Sequence, residues 1–175
     1  LHAWMNGELV GVWTVDRATH SFVYDASWLR SPKVRSLSLS LPITASREVR
    51  GDAVANYFDN LLPDNDRIRE RLSRRFKTKR ADAFSLLEAI GRDCVGAVQL
   101  LPEETTPTGW SRVDCEPLDE GQIAEILRAV PADVGPGSVR QPDDDLFRIS
   151  IAGAQEKTAF TQAGGRWCRP HGATP

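Results

Sequence analysis

The spacing of the hydrophobic residues changes near residue 52, and this change constrains the fold more than any other feature. Before it, residues 36–42 alternate serine with leucine, and Asn6-Gly7 stands between two apolar runs, the arrangement typical of a β-hairpin. After it, four apolar residues have the spacing of one helix face: Val54, Tyr57, Phe58 and Leu61. The pattern predicts an α+β fold, in which a small antiparallel sheet packs with short helices.

Three helices are predicted between residues 52 and 91. The first ends at Pro63, because proline cannot continue a helix. Asp64 or Asn65 can cap the second helix, and Asp82 can cap the third. Gly91 follows the last apolar residue of the third helix, the usual position for a helix end.

Composition divides the chain into two parts. A nearly continuous apolar run over residues 94–102 predicts a buried strand, and residues 103–117, rich in Thr, Pro and acidic side chains, predict a linker or long loop. Beyond it, Asp119 and Gln122 have the spacing of a capping box at the start of a fourth helix. We therefore predict a sheet-and-helix subdomain over residues 1–102 and a second unit over residues 118–175.

Charge and cysteine usage exclude several classes of protein. A net charge of -2 gives no reason to expect that the whole chain binds nucleic acid. The three cysteines are far apart in sequence and near no histidine cluster: Cys94, Cys115 and Cys168. We therefore predict no metal site and no disulfide framework, as suits a reducing cytoplasm. We see no signal peptide and no run of about 18 apolar residues, and expect no contact with a membrane.

The most basic stretch of the chain, called here the basic segment, spans residues 67–80. It holds eight cationic side chains and one acidic side chain, Glu70. Such a segment can form a surface for nucleic acid or for an acidic partner. It can equally be the solvated face of an amphipathic helix, with cations gathered towards the C-terminus where the helix dipole favours them.

Residues 147–158 join an alternating apolar run, through three small residues, to a lysine and a second apolar run. The small residues 152–154 would let backbone N–H groups approach an anion, and Lys157 would add positive charge. Neither common phosphate-loop motif is present. Ile151 and Glu156 stand where a Walker loop needs glycine, and a G-x-G-x-x-G motif is absent because Ala152 and Ala154 flank the single Gly153. Two interpretations stay open: a hairpin that lies over a phosphate group, or an ordinary β-hairpin turn.

Several blocks of sequence stand in one order along the chain. They are residues 36–42, Asp59-Asn60-Leu61-Leu62-Pro63-Asp64, Ile90-Gly91-Arg92-Asp93, Val95-Gly96-Ala97-Val98, residues 147–158 and Trp167-Cys168-Arg169-Pro170. Together they resemble the amino-terminal part of the HipA toxin kinases over nearly the whole chain. The resemblance implies a serine/threonine-protein kinase that uses ATP and Mg²⁺. It also implies that the second unit is the beginning of a protein-kinase-like N-lobe.

The resemblance also implies roles for residues near the end of the chain. The nucleotide-binding loop of the family corresponds to Ala152, Gly153, Ala154, Gln155, Glu156 and Lys157, and its autophosphorylated serine corresponds to Ser150. A phosphate on Ser150 adds about -1.5 to -2 charges, so modification is expected to repel a bound nucleotide. The catalytic and metal-binding residues of such kinases are expected beyond residue 175, and we predict that these 175 residues alone are inactive.

The partners implied by the resemblance are a HipB-like helix-turn-helix antitoxin, operator DNA contacted through that antitoxin, and a protein substrate. In the best-known member of the family the substrate is an aminoacyl-tRNA synthetase, glutamyl-tRNA synthetase, and the setting implied is the bacterial cytoplasm and persistence. Because the first residue is Leu1, we expect a piece of a longer protein. The alternative is a separate, non-catalytic module of a split toxin system that binds or inhibits a kinase subunit.

Overall fold

The first hundred residues form one antiparallel sheet packed against helices. The computed structural model describes residues 1–94, 96–129, 158–171 and 174. The strands of this sheet are β1 (His2–Met5), β2 (Glu8–Asp16), β3 (Thr19–Tyr24), β4 (Glu48–Arg50) and β5 (Val98–Leu101). They pair in the order β4-β3-β2-β1-β5, and every neighbouring pair is antiparallel. The predicted α+β class is confirmed.

Two tight turns connect the first three strands. Asn6 and Gly7, between β1 and β2, have φ angles of 50° and 78°, the left-handed backbone that a two-residue hairpin turn requires. This predicted hairpin is confirmed. Arg17 and Ala18, between β2 and β3, also have positive φ angles, 46° and 69°, although neither residue type favours them. The long pairing of β2 with β3 therefore imposes the second turn.

Residues 36–42 do not form the predicted strand. They make a tight turn closed by a single bridge between Ser38 and Leu41, and Leu39 at its tip is fully exposed. The hydroxyl of Tyr24 donates to the carbonyl oxygen of Leu41 at 2.5 Å and so anchors the turn to β3. Serine hydroxyls favour such turns because they bond nearby backbone groups, as the Ser38 hydroxyl does here.

The three predicted helices between residues 52 and 91 are confirmed. They are α1 (Asp52–Asp59), α2 (Asp66–Arg75) and α3 (Ala83–Ile90). The Asn65 side chain accepts a hydrogen bond from the Arg67 N–H at 2.9 Å, and the Asp82 side chain accepts one from the Ser85 N–H at 2.9 Å. Both caps act at the predicted positions. No helix in the described ranges has the length and apolar character needed to cross a membrane.

An aromatic cluster joins the helices to one face of the sheet. Trp13 on β2 is fully buried, and its ring stacks on that of Phe58 from α1 with a centroid distance of 4.0 Å. Phe84 from α3 meets the same ring edge-on at 4.8 Å. Phe22 on β3 lies 5.9 Å from Phe58, centroid to centroid. The apolar face of the strands and the apolar faces of the helices therefore share one core.

The thiol of Cys94 makes the free energy of unfolding depend on pH in the alkaline range. It is 2% exposed, and burial together with the nearby Asp93 carboxylate raises its pKa from 9.0 to about 12. The unfolded chain loses this proton at a lower pH than the folded chain. We therefore expect the free energy of unfolding to fall as pH rises from about 9 towards 12. Burial raises the pKa of Tyr57 to about 12 and acts in the same direction above pH 10.

Cys94→Ala removes the contribution of the thiol. Over this pH range, the variant should lose stability less steeply than wild type, by up to about 1.4 kcal/mol per pH unit. Urea denaturation at a series of pH values measures the difference. Parallel curves for the two proteins would contradict the prediction.

The stretch predicted as a linker, residues 103–117, contacts the first sheet. The indole of Trp110 lies over the Asn6-Gly7 turn, so close that a Cβ placed on Gly7 would be 2.2 Å from the ring. Gly7 therefore meets two requirements at once, a positive φ and a close approach. The last three residues of the stretch form a strand, β6 (Cys115–Pro117). The subdomain limits at residues 102 and 118 stay predictions.

Candidate functional site

The residues predicted to bind nucleotide lie outside the described part of the structure. They are Ala152, Gly153, Ala154, Gln155, Glu156 and Lys157, and the predicted phosphorylation site Ser150 lies outside it as well. Their roles therefore stay predictions. From Thr158, immediately after the loop, the chain leads into a second sheet. That sheet is the described element that follows the loop most directly along the chain.

The second sheet contains β6, β7 (Thr161–Ala163) and β8 (Arg166–Pro170), paired in the order β6-β8-β7. Gly164 and Gly165 form the turn between β7 and β8, with φ angles of 57° and 75°. The sequence predicts two strands here, residues 157–161 and 166–168, on either side of a turn at residues 163–165, and this hairpin is confirmed. Its first strand begins at Thr161, however, and the predicted start at Lys157 is wrong at least for residues 158–160. The addition of β6 was not predicted.

Hydrogen bonds between distant residues hold the second sheet in place. The Leu118 N–H donates to the Trp167 carbonyl oxygen, and the His171 N–H to the Asp114 carbonyl oxygen, both at 2.8 Å. The hydroxyl of Thr174, which is 1% exposed, accepts from the Asp114 N–H at 2.8 Å and donates to the Asp114 carbonyl oxygen at 2.9 Å. These contacts tie the end of the described chain to the stretch before α4.

The fourth helix, α4 (Glu120–Ala129), begins three residues after β6 ends at Pro117. The Gln122 N–H donates to the Asp119 carboxylate at 2.8 Å, and the Asp119 N–H donates to the Gln122 side-chain oxygen at 2.9 Å. The predicted capping box is therefore confirmed. Leu118, directly before the cap, is buried.

Two cysteines are neighbours in the second sheet. Cys115 lies opposite Pro170 and Cys168 lies opposite Pro117, which makes the cysteines diagonal neighbours on one face. Desolvation and a hydrogen bond with Cys168 raise the pKa of the Cys115 thiol. A thiol that keeps its proton at neutral pH is a poor nucleophile. Within the described ranges, no group of three His, Cys, Asp or Glu side chains is placed to hold a metal ion.

One arginine of the basic segment is structural. The guanidinium of Arg69 donates to both carboxylate oxygens of Asp59, at 2.6 and 3.0 Å, and to the carbonyl oxygen of Pro63 at 2.6 Å. Its side chain is only 13% exposed, and the hydrogen bonds with Asp59 raise its pKa. Arg69 thus ties α2 to the end of α1. The sequence pattern counts Arg69 with the other cations of the basic segment, because a contact between two helices leaves no local signal.

Most of the other cations of the basic segment are exposed. The exposed ones are Arg67, Arg71, Arg74, Lys77, Lys79 and Arg80. Arg74 approaches Glu70 at 3.8 Å and Arg80 approaches Asp82 at 2.7 Å, both as pairs of exposed side chains. Such pairs contribute little to stability, so another anion can readily replace the carboxylate. The segment therefore presents an excess of positive charge to solvent.

Known proteins are similar to this chain over nearly its whole length. Residues 1–101 match the sequence model of the family described as the HipA N-terminal domain. The chain is 33% identical over 174 residues to the protein named "Putative kinase Y4mE" of Sinorhizobium fredii, which covers 97% of this chain. The match covers 40% of that relative, so the chain spans less than half of its length.

The fold is also similar to a solved structure. That structure is described as the Shewanella oneidensis MR-1 toxin antitoxin system HipA, HipB and its operator DNA complex. The match has a TM-score of 0.64 at 21% sequence identity and covers 99% of this chain and 38% of the other. The similarity extends beyond residues 1–101 and includes the second unit.

Proposed function

Because the chain belongs to the family of the HipA N-terminal domain, we propose that it is the amino-terminal part of a serine/threonine-protein kinase toxin from a bacterial toxin–antitoxin module. One observation carries the proposal: similarity to a protein named a putative kinase covers 97% of this chain. It therefore extends past the family domain and across the predicted nucleotide loop. A module that only binds a partner would not need this loop.

In the proposed kinase, residues 152–157 hold the phosphate groups of ATP. The small side chains of Ala152, Gly153 and Ala154 leave backbone N–H groups open to the phosphates, and Lys157 adds positive charge. The second sheet follows the loop directly and anchors the chain after it. Bound Mg²⁺ would neutralise charge on the nucleotide, and the residues that hold the metal and the acceptor hydroxyl are expected beyond residue 175.

Ser150 is proposed as the regulatory phosphorylation site of this kinase. It stands two residues before the loop, so a phosphate there would place negative charge next to the phosphates of ATP. Repulsion between the two would favour a state without nucleotide. Autophosphorylation at Ser150 would therefore switch the kinase off.

The proposed partners are a HipB-like helix-turn-helix antitoxin and, through it, operator DNA. A solved protein of similar fold is described in a complex with HipB and operator DNA, which supports this part of the proposal. The proposed substrate is a translation-related protein, glutamyl-tRNA synthetase by family resemblance. The proposed setting is the bacterial cytoplasm, where phosphorylation of this substrate would slow growth and favour persistence.

The alternative is a separate, non-catalytic module that binds or inhibits a kinase subunit. It is kept because the catalytic Asp and Asn motifs expected of such kinases are not among these 175 residues. The coding sequence beyond residue 175 separates the two proposals. A further strand with a lysine, followed by the Asp and Asn motifs, identifies a kinase; a stop codon identifies a module.

Phosphate transfer tests the proposed function. We expect the 175-residue chain alone to bind ATP weakly or not at all and to transfer no phosphate from Mg-ATP, because it lacks the catalytic lobe. The longer protein should phosphorylate itself at Ser150, as mass spectrometry of its peptides would show. Its Ser150→Asp variant should bind ATP more weakly than wild type, and Ser150→Ala should bind ATP as wild type does.

Calorimetric titration of ATP into the longer protein and its two variants measures the affinities. Phosphate transfer by the 175-residue chain would contradict the prediction for the fragment. A longer protein that transfers no phosphate would overturn the kinase proposal in favour of the module. Equal ATP affinities for Ser150→Asp and wild type would exclude the proposed switch.

A further inference from the structure

We propose that the exposed cations of the basic segment bind the phosphate backbone of double-stranded nucleic acid. This would be a direct contact of this chain, separate from any contact made through an antitoxin, and it does not depend on kinase activity. The proposed contact is made mainly by five side chains, called here the basic surface: Arg67, Arg74, Lys77, Lys79 and Arg80.

The charge of the chain is strongly polarised. Eight of its 22 Lys and Arg residues lie in the basic segment, but only one of its 24 Asp and Glu residues does. The rest of the chain therefore carries a clear excess of negative charge. A polyanion would be repelled by most of the molecule and attracted to this segment, which would orient its approach.

The structure leaves much of this positive charge uncompensated. Arg67, Lys77 and Lys79 are exposed and form no ion pair within the part of the chain that the structure describes. Arg67 and Arg74 lie seven residues apart on α2, so they project from the same face of the helix. Leu72 is buried, which orients the helix with these arginines towards solvent. A phosphate backbone could therefore contact them without any rearrangement of the core.

The end of α2 adds cations in a defined backbone conformation. Lys77 has a φ of 52°, and the Thr78 N–H donates to the Ser73 carbonyl oxygen at 3.0 Å, the pattern of a left-handed helix cap. Glycine is the usual residue at such a position, but this chain has a cation there. The cap holds Lys77 directly after the helical arginines, where it extends the positive surface.

The aromatic content of the segment favours a duplex over a single strand. Proteins that bind single strands stack the bases on exposed aromatic rings. Phe76 is the one aromatic residue of the basic segment, and it is partly buried with the Arg75 guanidinium 5.2 Å from its ring centroid. Cations without a stacking platform suit the regular phosphate backbone of a duplex, which they would bind with little sequence preference.

A triple variant of the 175-residue chain, Arg67→Gln, Arg74→Gln and Lys77→Gly, tests the proposal. Glutamine is a good helix former, and glycine suits the left-handed cap, so the fold should be retained. Fluorescence anisotropy with a short labelled duplex DNA of arbitrary sequence, between about 50 and 200 mM salt, measures binding. We expect the triple variant to bind about tenfold more weakly or worse at low salt. The slope of its log affinity against log salt concentration should be shallower than that of wild type by about three units.

A matched control removes three exposed arginines outside the basic segment: Arg17, Arg112 and Arg166, each replaced by Gln. It has the same net charge as the triple variant, and its affinity should stay within about twofold of wild type. The single variant Lys77→Gly should lower the salt slope by about one unit. Its circular dichroism should match wild type, and its melting temperature should equal or exceed that of wild type, because glycine adopts the left-handed backbone of residue 77 without strain.

Three results would overturn the proposal. The first is an equal loss of affinity in the triple variant and the matched control, which would show a general charge effect. The second is tighter binding of a poly-glutamate peptide than of the duplex, which would identify an acidic protein as the partner. The third is an affinity of the wild-type chain for the duplex that does not change with salt concentration, which would exclude phosphate contacts.

Discussion

Gly11→Ala is expected to destabilise the chain by about 3 kcal/mol, because the new methyl group would have no room in the core. A Cβ at Gly11 would lie 2.4 Å from the carbonyl oxygen of Val23 and 2.7 Å from the ring of Phe22. The oxygen belongs to β3, which pairs with β2 along six residue pairs from Gly11–Tyr24 to Asp16–Thr19, so it cannot rotate away as a side chain would. Urea denaturation measures the loss of unfolding free energy.

Gly164→Ala is the matched control for this prediction. Gly164 lies in the β7–β8 turn with a φ of 57°, and nothing lies within 4 Å of its Cβ position. Alanine there should cost about 1 kcal/mol, the usual cost of a left-handed backbone in a residue other than glycine. Similar losses at the two positions would show that β2 and β3 can separate locally, and would contradict the steric argument.

Arg69→Met is expected to destabilise the chain by about 2–3 kcal/mol. Methionine keeps the helix propensity of α2 and most of the apolar stem, so the loss reports the guanidinium. Its removal leaves the Asp59 carboxylate and the Pro63 carbonyl oxygen without their donor. The Asp59 side chain is 45% exposed, so water compensates in part and the cost stays below that of a fully buried ion pair.

Arg67→Met, on the same helix, is the matched control. It distinguishes the loss of the Arg69–Asp59 ion pair from the general effect of removing a positive charge. The Arg67 side chain is exposed, and its replacement should change the free energy of unfolding by no more than about 0.5 kcal/mol. Denaturation of both variants in one buffer makes the comparison direct. A loss at Arg67 as large as the loss at Arg69 would show that the contacts with Asp59 and Pro63 contribute little.

Features whose physical cause lies within a few residues were predictable. The Asn6-Gly7 turn, the caps at Asn65 and Asp82, and the capping box at Asp119 all depend on one side chain and on backbone close to it. Each was expected from local chemistry and is present in the structure. The same holds for the α+β class, because the period of the hydrophobic residues decides which segments can share a core.

The turn at residues 36–42 shows where local patterns fail. Alternating serine and leucine suits an edge strand, but β4 (Glu48–Arg50) takes the position beside β3. The Tyr24 hydroxyl then binds the Leu41 carbonyl oxygen, seventeen residues away along the chain. Neither competing interaction can be inferred from the pattern of residues 36–42, because both depend on how distant parts of the chain meet.

The candidate site likewise contains one element that local sequence predicts and one that it does not. The hairpin around Gly164 and Gly165 was predicted from its turn residues, whereas β6 was not, because three residues that end in a proline carry no strand pattern. β6 joins the sheet through pairing with β8, more than fifty residues further along the chain. The nucleotide loop at residues 152–157 and the switch at Ser150 stay predictions that rest on resemblance.

The basic segment separates what the sequence determined from what only the tertiary structure decided. The sequence alone determined that residues 67–80 are basic and that a helix capped by Asp64 or Asn65 runs into them. Only the packing of α2 against α1 decided that Arg69 is structural, because its partners Asp59 and Pro63 belong to the end of α1 and the turn that follows it. Charge is a property of each residue, but an ion pair needs two residues brought together, and the tertiary fold does that.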